Sequence, residues 1–364
     1  MKICYFADAS SIHTHRWLSY FSGKGHEVHL VSLEKKRDDL DWRGVKFHHV
    51  KDIGFKKALL LPYYAPKFKK IVRGIKPEVL HAHYATKYGF LAHFTGFHPL
   101  VVTAWGSDVL LDPKDSWFTK VFLKMSLPKA EALTCDGSNT TNALTGLGVK
   151  PENIHRIYFG IDTKRFVPRA RSEQLRKKLD LGNNPTIISL RTLEPLYSID
   201  TLLKAVPLVL EKVPRAKFLV CGNGPQEQEL KELAKTLGVE KSVNFVGRLS
   251  GDELPKYLAS SDIYVSTSLS DSGLAASTGE AIACGLPAIT TPSGDAKSML
   301  GDKGRGIITP MKKPKVLAKN IVRVIKDKKL RNRLVDAGRD YILNVQAYNK
   351  NMRKMEQIYE GLLK

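Results

Sequence analysis

Short apolar runs rich in β-branched residues alternate with amphipathic stretches of helical length along the whole chain, the pattern of parallel sheets covered by helices. In the first half KICYF (2–6), VHLVS (28–32), VLHAH (79–83), LVVTA (100–104) and ALTC (132–135) predict strands. After a polar stretch over 164–184 the pattern starts afresh with TIISL (186–190), KFLVCG (217–222), VNFVG (243–247), IYVS (263–266) and AITT (288–291). Two α/β lobes are therefore expected. The boundary should fall near residues 166–168, because FVPRARSEQLRKKL is basic, contains a proline and precedes a new strand. Ligands of such sheets sit beyond the carboxyl ends of the strands, where loops lead into helix N-termini.

Composition agrees with this picture. A chain of 364 residues exceeds the usual size of one hydrophobic core, and 43% apolar residues with both charge signs plentiful describe a folded protein. The 58 Lys and Arg against 36 Asp and Glu leave a formal charge of +22, enough to attract nucleic acid, anionic lipid or phosphorylated substrates. Cys4, Cys135, Cys221 and Cys284 are scattered without paired spacing, so buried reduced thiols are expected, and no HExxH arrangement is present. No protein-bound metal is expected. No apolar stretch is long enough to span a bilayer, and MKICYF opens the chain without a leader-like pattern, so the expected location is cytoplasmic.

Candidate chemistry concentrates in SLSDSGLAASTGEAIACGLPAI, residues 268–289, where a small-residue loop follows a strand and opens a short helix. Gly273, Ala275, Ala276, Ser277 and Thr278 carry little bulk, so a phosphate can approach exposed N–H groups at the positive end of a helix dipole. Glu280, one turn inside, would then bind a ribose diol. From the residues alone, a plain turn with Glu280 as a solvated helix residue is an equal reading.

This stretch resembles the EGFGLPxxEAMACGxPVI signature of retaining GT-B glycosyltransferases of the family-4 type. The resemblance implies two Rossmann-like, doubly wound lobes facing a central cleft, with Glu280 on the ribose hydroxyls. It also implies that the loop of Ser272, Gly273, Leu274, Ala275, Ala276 and Ser277 lies on phosphate and sugar. The first Glu of the signature falls on Ser272, with Asp271 beside it as a substitute facing the donor sugar. SLRTLEPLYSIDTLLKA, residues 189–205, resembles the segment in which an Arg and a Lys clamp the diphosphate. Arg191 fits the Arg and would steady the departing charge, while the Lys position holds Tyr197. VCGNGP matches the GxGP turn, with Gly222 or Gly224 lining the nucleotide, and FVGR, ending at Arg248, sits where the family packs the base.

In the first lobe DASSIHTHRW, residues 8–17, follows a strand and opens a helix, placing Ser10, Ser11 and His13 on the cleft side. HAHYATKYG and TAWGSD follow two further strands. Where many family members carry a T-x-H-G histidine this chain has Trp105, so that role would pass to His83 or Asp108. FGIDTKRFVP resembles the segment joining the lobes, with Asp162 and Phe166 in place. The implied organisation is an acceptor-binding domain over 1–165, a nucleotide-sugar-binding domain over 166–345, and a last helix over 346–364 that crosses back onto the first domain.

The implied function is retaining transfer of a sugar from a UDP- or GDP-linked donor to a lipid-linked or saccharide acceptor, with no permanently bound cofactor. An epimerase or phosphorylase of the same fold is the alternative, although a phosphorylase would need a cofactor lysine that is not recognisable here. A nucleic-acid binder predicts a concentrated basic stripe with stacking aromatics, whereas these lysines spread through both lobes, so no specific nucleic acid is expected. The segment FKKALLLPYYAPKFKKIVRGIK, from Phe55 to Lys76, interleaves seven Lys or Arg with leucines and two tyrosines. It reads equally as a grip on an anionic membrane surface, making the protein peripheral on the cytoplasmic face, or as an ordinary lysine-rich helix.

Overall fold

The computed structural model describes residues 1–52, 54, 61–249 and 251–364. It divides into two compact units, Met1–Phe159 with Asn351–Lys364, and Gly160–Lys350.

Among the described residues the first unit carries seven strands, β1 (Lys2–Phe6), β2 (Glu27–Ser32), β3 (Val45–His49), β4 (Val79–His83), β5 (Leu100–Thr103), β6 (Ala132–Cys135) and β7 (Ile154–Arg156), in the order β3-β2-β1-β4-β5-β6-β7. All pairs are parallel. Helices cover the sheet, so its central strands are buried almost throughout, which is why they read as unbroken apolar runs. One cluster gathers Cys4, Phe6, Phe68, Leu80, Phe90, Val102 and Leu133 into a core. Because β1 is flanked by β2 on one side and β4 on the other, the strand order reverses there. A crevice opens beyond the carboxyl ends of β1 and β4.

The second unit repeats the plan with β8 (Thr186–Leu190), β9 (Lys217–Cys221), β10 (Val243–Gly247), β11 (Ile263–Ser266), β12 (Ala288–Thr290) and β13 (Ile307–Ile308), ordered β10-β9-β8-β11-β12-β13. Here the reversal lies at β8, between β9 and β11. Its core joins Ile187, Phe218, Val265 and Ile289 to Leu202, Val206, Leu317 and Ile321 of the covering helices.

Three strands were not expected from the hydrophobic pattern: β3, β7 and β13. Each is short or half-exposed and lies at a sheet edge, so its burial carries little apolar signature. The division between units falls at Phe159 and Gly160 rather than after residue 165. Helix Tyr348–Leu362 enters the first unit from Asn351 onward, where Met352, Met355 and Tyr359 are fully buried. There the Tyr359 hydroxyl bonds that of Tyr5 at 2.8 Å, and Glu356 meets His26 at 2.8 Å.

Candidate functional site

In the second unit a cavity of about 380 Å³ lies beyond the carboxyl ends of β8 and β9, lined by Leu190, Arg191, Thr192, Gly222, Asn223, Arg248, Ser277 and Glu280 among others. Five residues singled out from sequence, Arg191, Gly222, Arg248, Ser277 and Glu280, thus come together although they are spread over some ninety positions. The backbone explains why. Gly222 sits at φ 150°, and a Cβ there would lie 2.0 Å from the Arg191 carbonyl oxygen, so only glycine lets the β9 loop pass over the end of β8. A Cβ on Gly224 would likewise meet the Leu193 carbonyl at 2.5 Å, which gives this glycine a packing role beside the cavity rather than on its lining.

Helix Ala276–Ala283 points its N-terminus into this region. Its first residue follows Ala275, no side chain caps it and no acidic residue occupies its first turn, so its end keeps the partial positive charge that favours an anion. Ser277 bonds the Tyr264 hydroxyl at 2.9 Å, which fixes the first turn to β11. The preceding loop is held close by Gly294, where a Cβ would approach the Gly273 carbonyl to 2.2 Å. Ser272, Gly273, Leu274, Ala275 and Ala276 therefore form a tight lead into the helix.

Arg191 is positioned by two neighbours. Its Nη2 donates to Asp271 Oδ1 at 2.6 Å, and its guanidinium carbon stands 4.2 Å from the centre of the Tyr197 ring. Asp271 is itself fixed by Ser293, whose hydroxyl donates to Oδ2 at 2.9 Å. Burial opposes the charge on Arg191, but Asp271, Tyr264 and Tyr197 together outweigh it, and the guanidinium titrates above its usual range. Its Nε is buried with no hydrogen-bond partner among the described residues. A buried, charged donor left unsatisfied has a strong preference for an anionic acceptor. Asp271 lies beside Ser272 as the sequence suggested, yet it engages Arg191.

The first unit holds a separate cavity of about 400 Å³ at its own strand ends, lined by Asp8, Ser11, Glu34, His83, Tyr84, Lys87, Tyr88 and Trp105 among others. Ser11 caps helix Ile12–Gly23 by accepting from the His13 amide. Ser10 faces outward with its hydroxyl on Asp8 Oδ1 at 2.6 Å. His13 packs against Trp105 and Phe159, each at 5.2 Å between ring centres. His83 is enclosed by Tyr5, Trp17 and Trp105, and both of its ring nitrogens are buried without a partner among the described residues. Burial, with His13 adding to it, lowers its pKa to about 3, so it is a neutral imidazole at physiological pH.

Asp108 takes a different part from the one expected. Fully buried, it accepts from the amides of Ala85 (2.7 Å), Trp105 (3.0 Å) and Gly106 (2.9 Å), which ties the loop after β4 to the loop after β5. Burial raises its pKa to about 6 against the pull of those amides. It anchors the loops and does not line the cavity. Glu34, Tyr84, Lys87 and Tyr88 were not singled out from sequence. Glu34 bonds both Lys87 and Tyr88, and Tyr84 holds φ 77°, an uncommon conformation for a tyrosine. The π-helical turn Tyr84–Gly89 that carries three of them is a recurrent mark of functional sites, but it leaves no trace in hydrophobic periodicity.

Among the described residues no group of three or more His, Cys, Asp or Glu is placed to hold a metal, and the four cysteines are buried and free.

Residues 171–341 match the family model for glycosyl transferases group 1, and residues 2–137 match that for glycosyl transferase 4-like proteins. Over residues 171–341, just under half of its length, the chain is thus similar to the group 1 glycosyl transferases. Its group 1 match contains most of the cavity at the ends of β8 and β9, Arg191, Arg248 and Glu280 included. Over 210 residues it is 31% identical to a GDP-mannose-dependent alpha-(1-6)-phosphatidylinositol monomannoside mannosyltransferase of Mycobacterium tuberculosis, covering 56% of this chain and 54% of that one. The chain thus spans about half the length of that relative. It is 24% identical over 353 residues to the N-acetyl-alpha-D-glucosaminyl L-malate synthase of Bacillus anthracis, covering 94% and 91%. A solved structure of Anabaena Alr3699/HepE in complex with UDP and glucose covers 100% of both chains with a TM-score of 0.80 at 18% identity, a likeness of fold.

Proposed function

We propose that this chain is a group 1 glycosyl transferase that moves a sugar from a UDP- or GDP-linked donor, held in the second unit, to a hydroxyl of a lipid-linked or saccharide acceptor, with retention at the anomeric carbon. The observation that carries the reading is the convergence of Arg191, Arg248, Glu280 and an uncapped helix N-terminus on one cavity at a strand-order reversal. The helix end and Arg191 take the diphosphate, and their pull grows as negative charge develops on the leaving group. Arg248 supplies the second cation that the Tyr197 position lacks. Glu280 accepts from the ribose hydroxyls. Asp271 and Tyr197 hold the Arg191 fork in place, so less ordering is needed when the donor arrives. The relatives' names, which include GDP-mannose and, in a solved complex, UDP, support a nucleotide-sugar donor without choosing the base.

The cavity of the first unit suits the acceptor's reactive end. It carries Asp8 and Glu34 against one lysine, Lys87, which is already paired with Glu34. Such a lining favours neutral hydroxyls over phosphate or carboxylate at the reacting end, and the neutral His83 offers one nitrogen to accept and one to donate.

Calorimetry with UDP, GDP and a short oligonucleotide tests the reading. One of the two diphosphates binds, and Glu280→Ala weakens it by about tenfold or more, the worth of a hydrogen bond to a charged group, in a variant whose melt shows it folded. Tight oligonucleotide binding with no diphosphate binding would sink it. Incubating the protein with a panel of radiolabelled sugar nucleotides and a membrane extract then names donor and acceptor.

A further inference from the structure

Among the described residues, five of the eleven exposed large apolar side chains lie within fifteen positions of one another: Leu111, Trp117, Phe118, Val121 and Met125. Four of them belong to helix Trp117–Ser126, whose start is set by Ser116. Trp117, Val121 and Met125 follow at intervals of four, so they form a stripe along one side of the helix. The indole of Trp117 is 65% exposed and Phe118 is 59% exposed, with their rings stacked at 3.9 Å. The opposite side is used normally, with Thr119, Leu123 and Ser126 buried. Two large stacked aromatics facing water at the start of a well-packed helix mark a contact surface.

Lysines border the stripe. Lys114, Lys120 and Lys124 are all exposed, and Lys120 and Lys124 stand three and seven positions from Trp117, on its side of the helix. The neighbouring helices continue the surface. Phe94 of helix Phe90–Thr95, also exposed, stands 6.0 Å from Phe122, and that helix packs in turn on helix Leu61–Ile75. Where these two helices end, a pocket of about 400 Å³ is lined by Lys69, Arg73 and Lys76 together with Thr95 and Gly96, and by no carboxylate among the described residues. An apolar aromatic stripe and a purely cationic pocket thus share one helical layer of the first unit.

We infer that this layer docks on an anionic phospholipid surface, with Trp117, Phe118, Val121 and Met125 entering the headgroup–acyl boundary and the Lys69, Arg73 and Lys76 pocket holding a lipid phosphate. Charge decides between a bilayer and a second copy of the chain. A symmetric contact through the stripe would bring Lys120 and Lys124 of two molecules, each of formal charge +22, face to face, whereas an anionic bilayer complements both features. The segment from Phe55 to Lys76 therefore contributes its final cations, residues 55–60 lie outside those described, and the apolar anchor is a different helix. The inference rests on the glycosyl-transfer reading for its purpose, access to a lipid-linked acceptor, but its test needs no catalysis.

The full chain is mixed with vesicles of phosphatidylcholine alone and with about one third phosphatidylglycerol, and binding is followed by flotation and by tryptophan emission. Of the four tryptophans, Trp17 and Trp42 are buried and Trp105 is half-buried, so Trp117 dominates any environmental shift. The expected result is binding to the anionic vesicles with an emission blue shift. The double variant Trp117→Ser, Phe118→Ser should bind roughly tenfold more weakly, as loss of two partly inserted aromatics implies. Lys69→Glu with Arg73→Glu should lose the dependence on phosphatidylglycerol. Thermal melts and far-UV circular dichroism are recorded in parallel, and an unchanged melting profile shows that the first unit of each variant is folded; UDP or GDP binding is measured too, and its absence from the unaltered protein overturns the transferase reading alone. Vesicle binding indifferent to both variants, or a vesicle-free dimer dispersed by Trp117→Ser, Phe118→Ser, overturns the inference.

Discussion

Arg191 reaches the cavity at the ends of β8 and β9 with one nitrogen on Asp271 and its plane against Tyr197, while Nε has no partner among the described residues. Two of these three features follow from residues that depart from the family pattern, Tyr197 in place of a lysine and Asp271 beside Ser272. Sequence placed each of them near the donor, but the pairing between them required β8 and β11 to lie side by side. The buried histidines of the first unit act through pH. Burial, with Arg16 assisting, lowers His13 to about 4; burial, with His13 assisting, lowers His83 to about 3; and burial, with His83 assisting, puts His81 well below its usual value of 6.5. Above that value both folded and unfolded forms are neutral and these groups cost nothing. As pH falls below 6.5 the unfolded chain takes up protons that the folded chain refuses, and stability drops by up to about 1.4 kcal/mol per pH unit for each histidine. The urea midpoint should therefore fall steadily from pH 7 to pH 5, and less steeply in His83→Gln. A midpoint that is flat over this interval contradicts the burial of these rings.

Each donor-site element depends on its neighbours' backbone. The β9 loop crosses the end of β8 only because Gly222 lacks a side chain, since a methyl group would sit 2.0 Å from the Arg191 carbonyl and φ 150° disfavours any L-residue. Gly222→Ala should cost at least about 2 kcal/mol, and because the displaced carbonyl belongs to Arg191, diphosphate binding should weaken even where the fold survives. Thermal melts and calorimetry on the same sample separate the two effects; full-strength binding would show that the loop has slack. The central strands of both sheets were legible as apolar runs because both of their faces are covered. Edge strands β3, β7 and β13 were not, because one side faces solvent and alternation over two to five residues is too short to read. Helix Trp117–Ser126 shows the converse limit: WFTKVFLKMS reads as an ordinary amphipathic helix, and nothing local says that its most aromatic side points outward.

For the whole molecule, the first unit is built from both ends of the chain and the second from the middle. Residues 160–350 carry a complete six-stranded sheet and its core, so this fragment should fold alone and retain diphosphate binding. Removing residues 351–364 takes Met352, Met355 and Tyr359, all fully buried, from the first unit. At about 2 kcal/mol each, that loss approaches the whole stability of an ordinary domain. The truncated chain should show one melting transition lost or shifted down while nucleotide binding persists, and an unchanged melting profile would mean that the last helix is dispensable. Sequence by itself determined the two-fold α/β repeat, the nine central strands with edge strand β10, and the small-residue loop before Glu280, since periodicity and local backbone demands are written in neighbouring residues. Only tertiary structure decided that Asp108 anchors loops, that Asp271 pairs with Arg191 and that Trp117 faces water. These depend on which distant segments the sheets bring together and on which side of a helix remains uncovered, and no local pattern of residues records either.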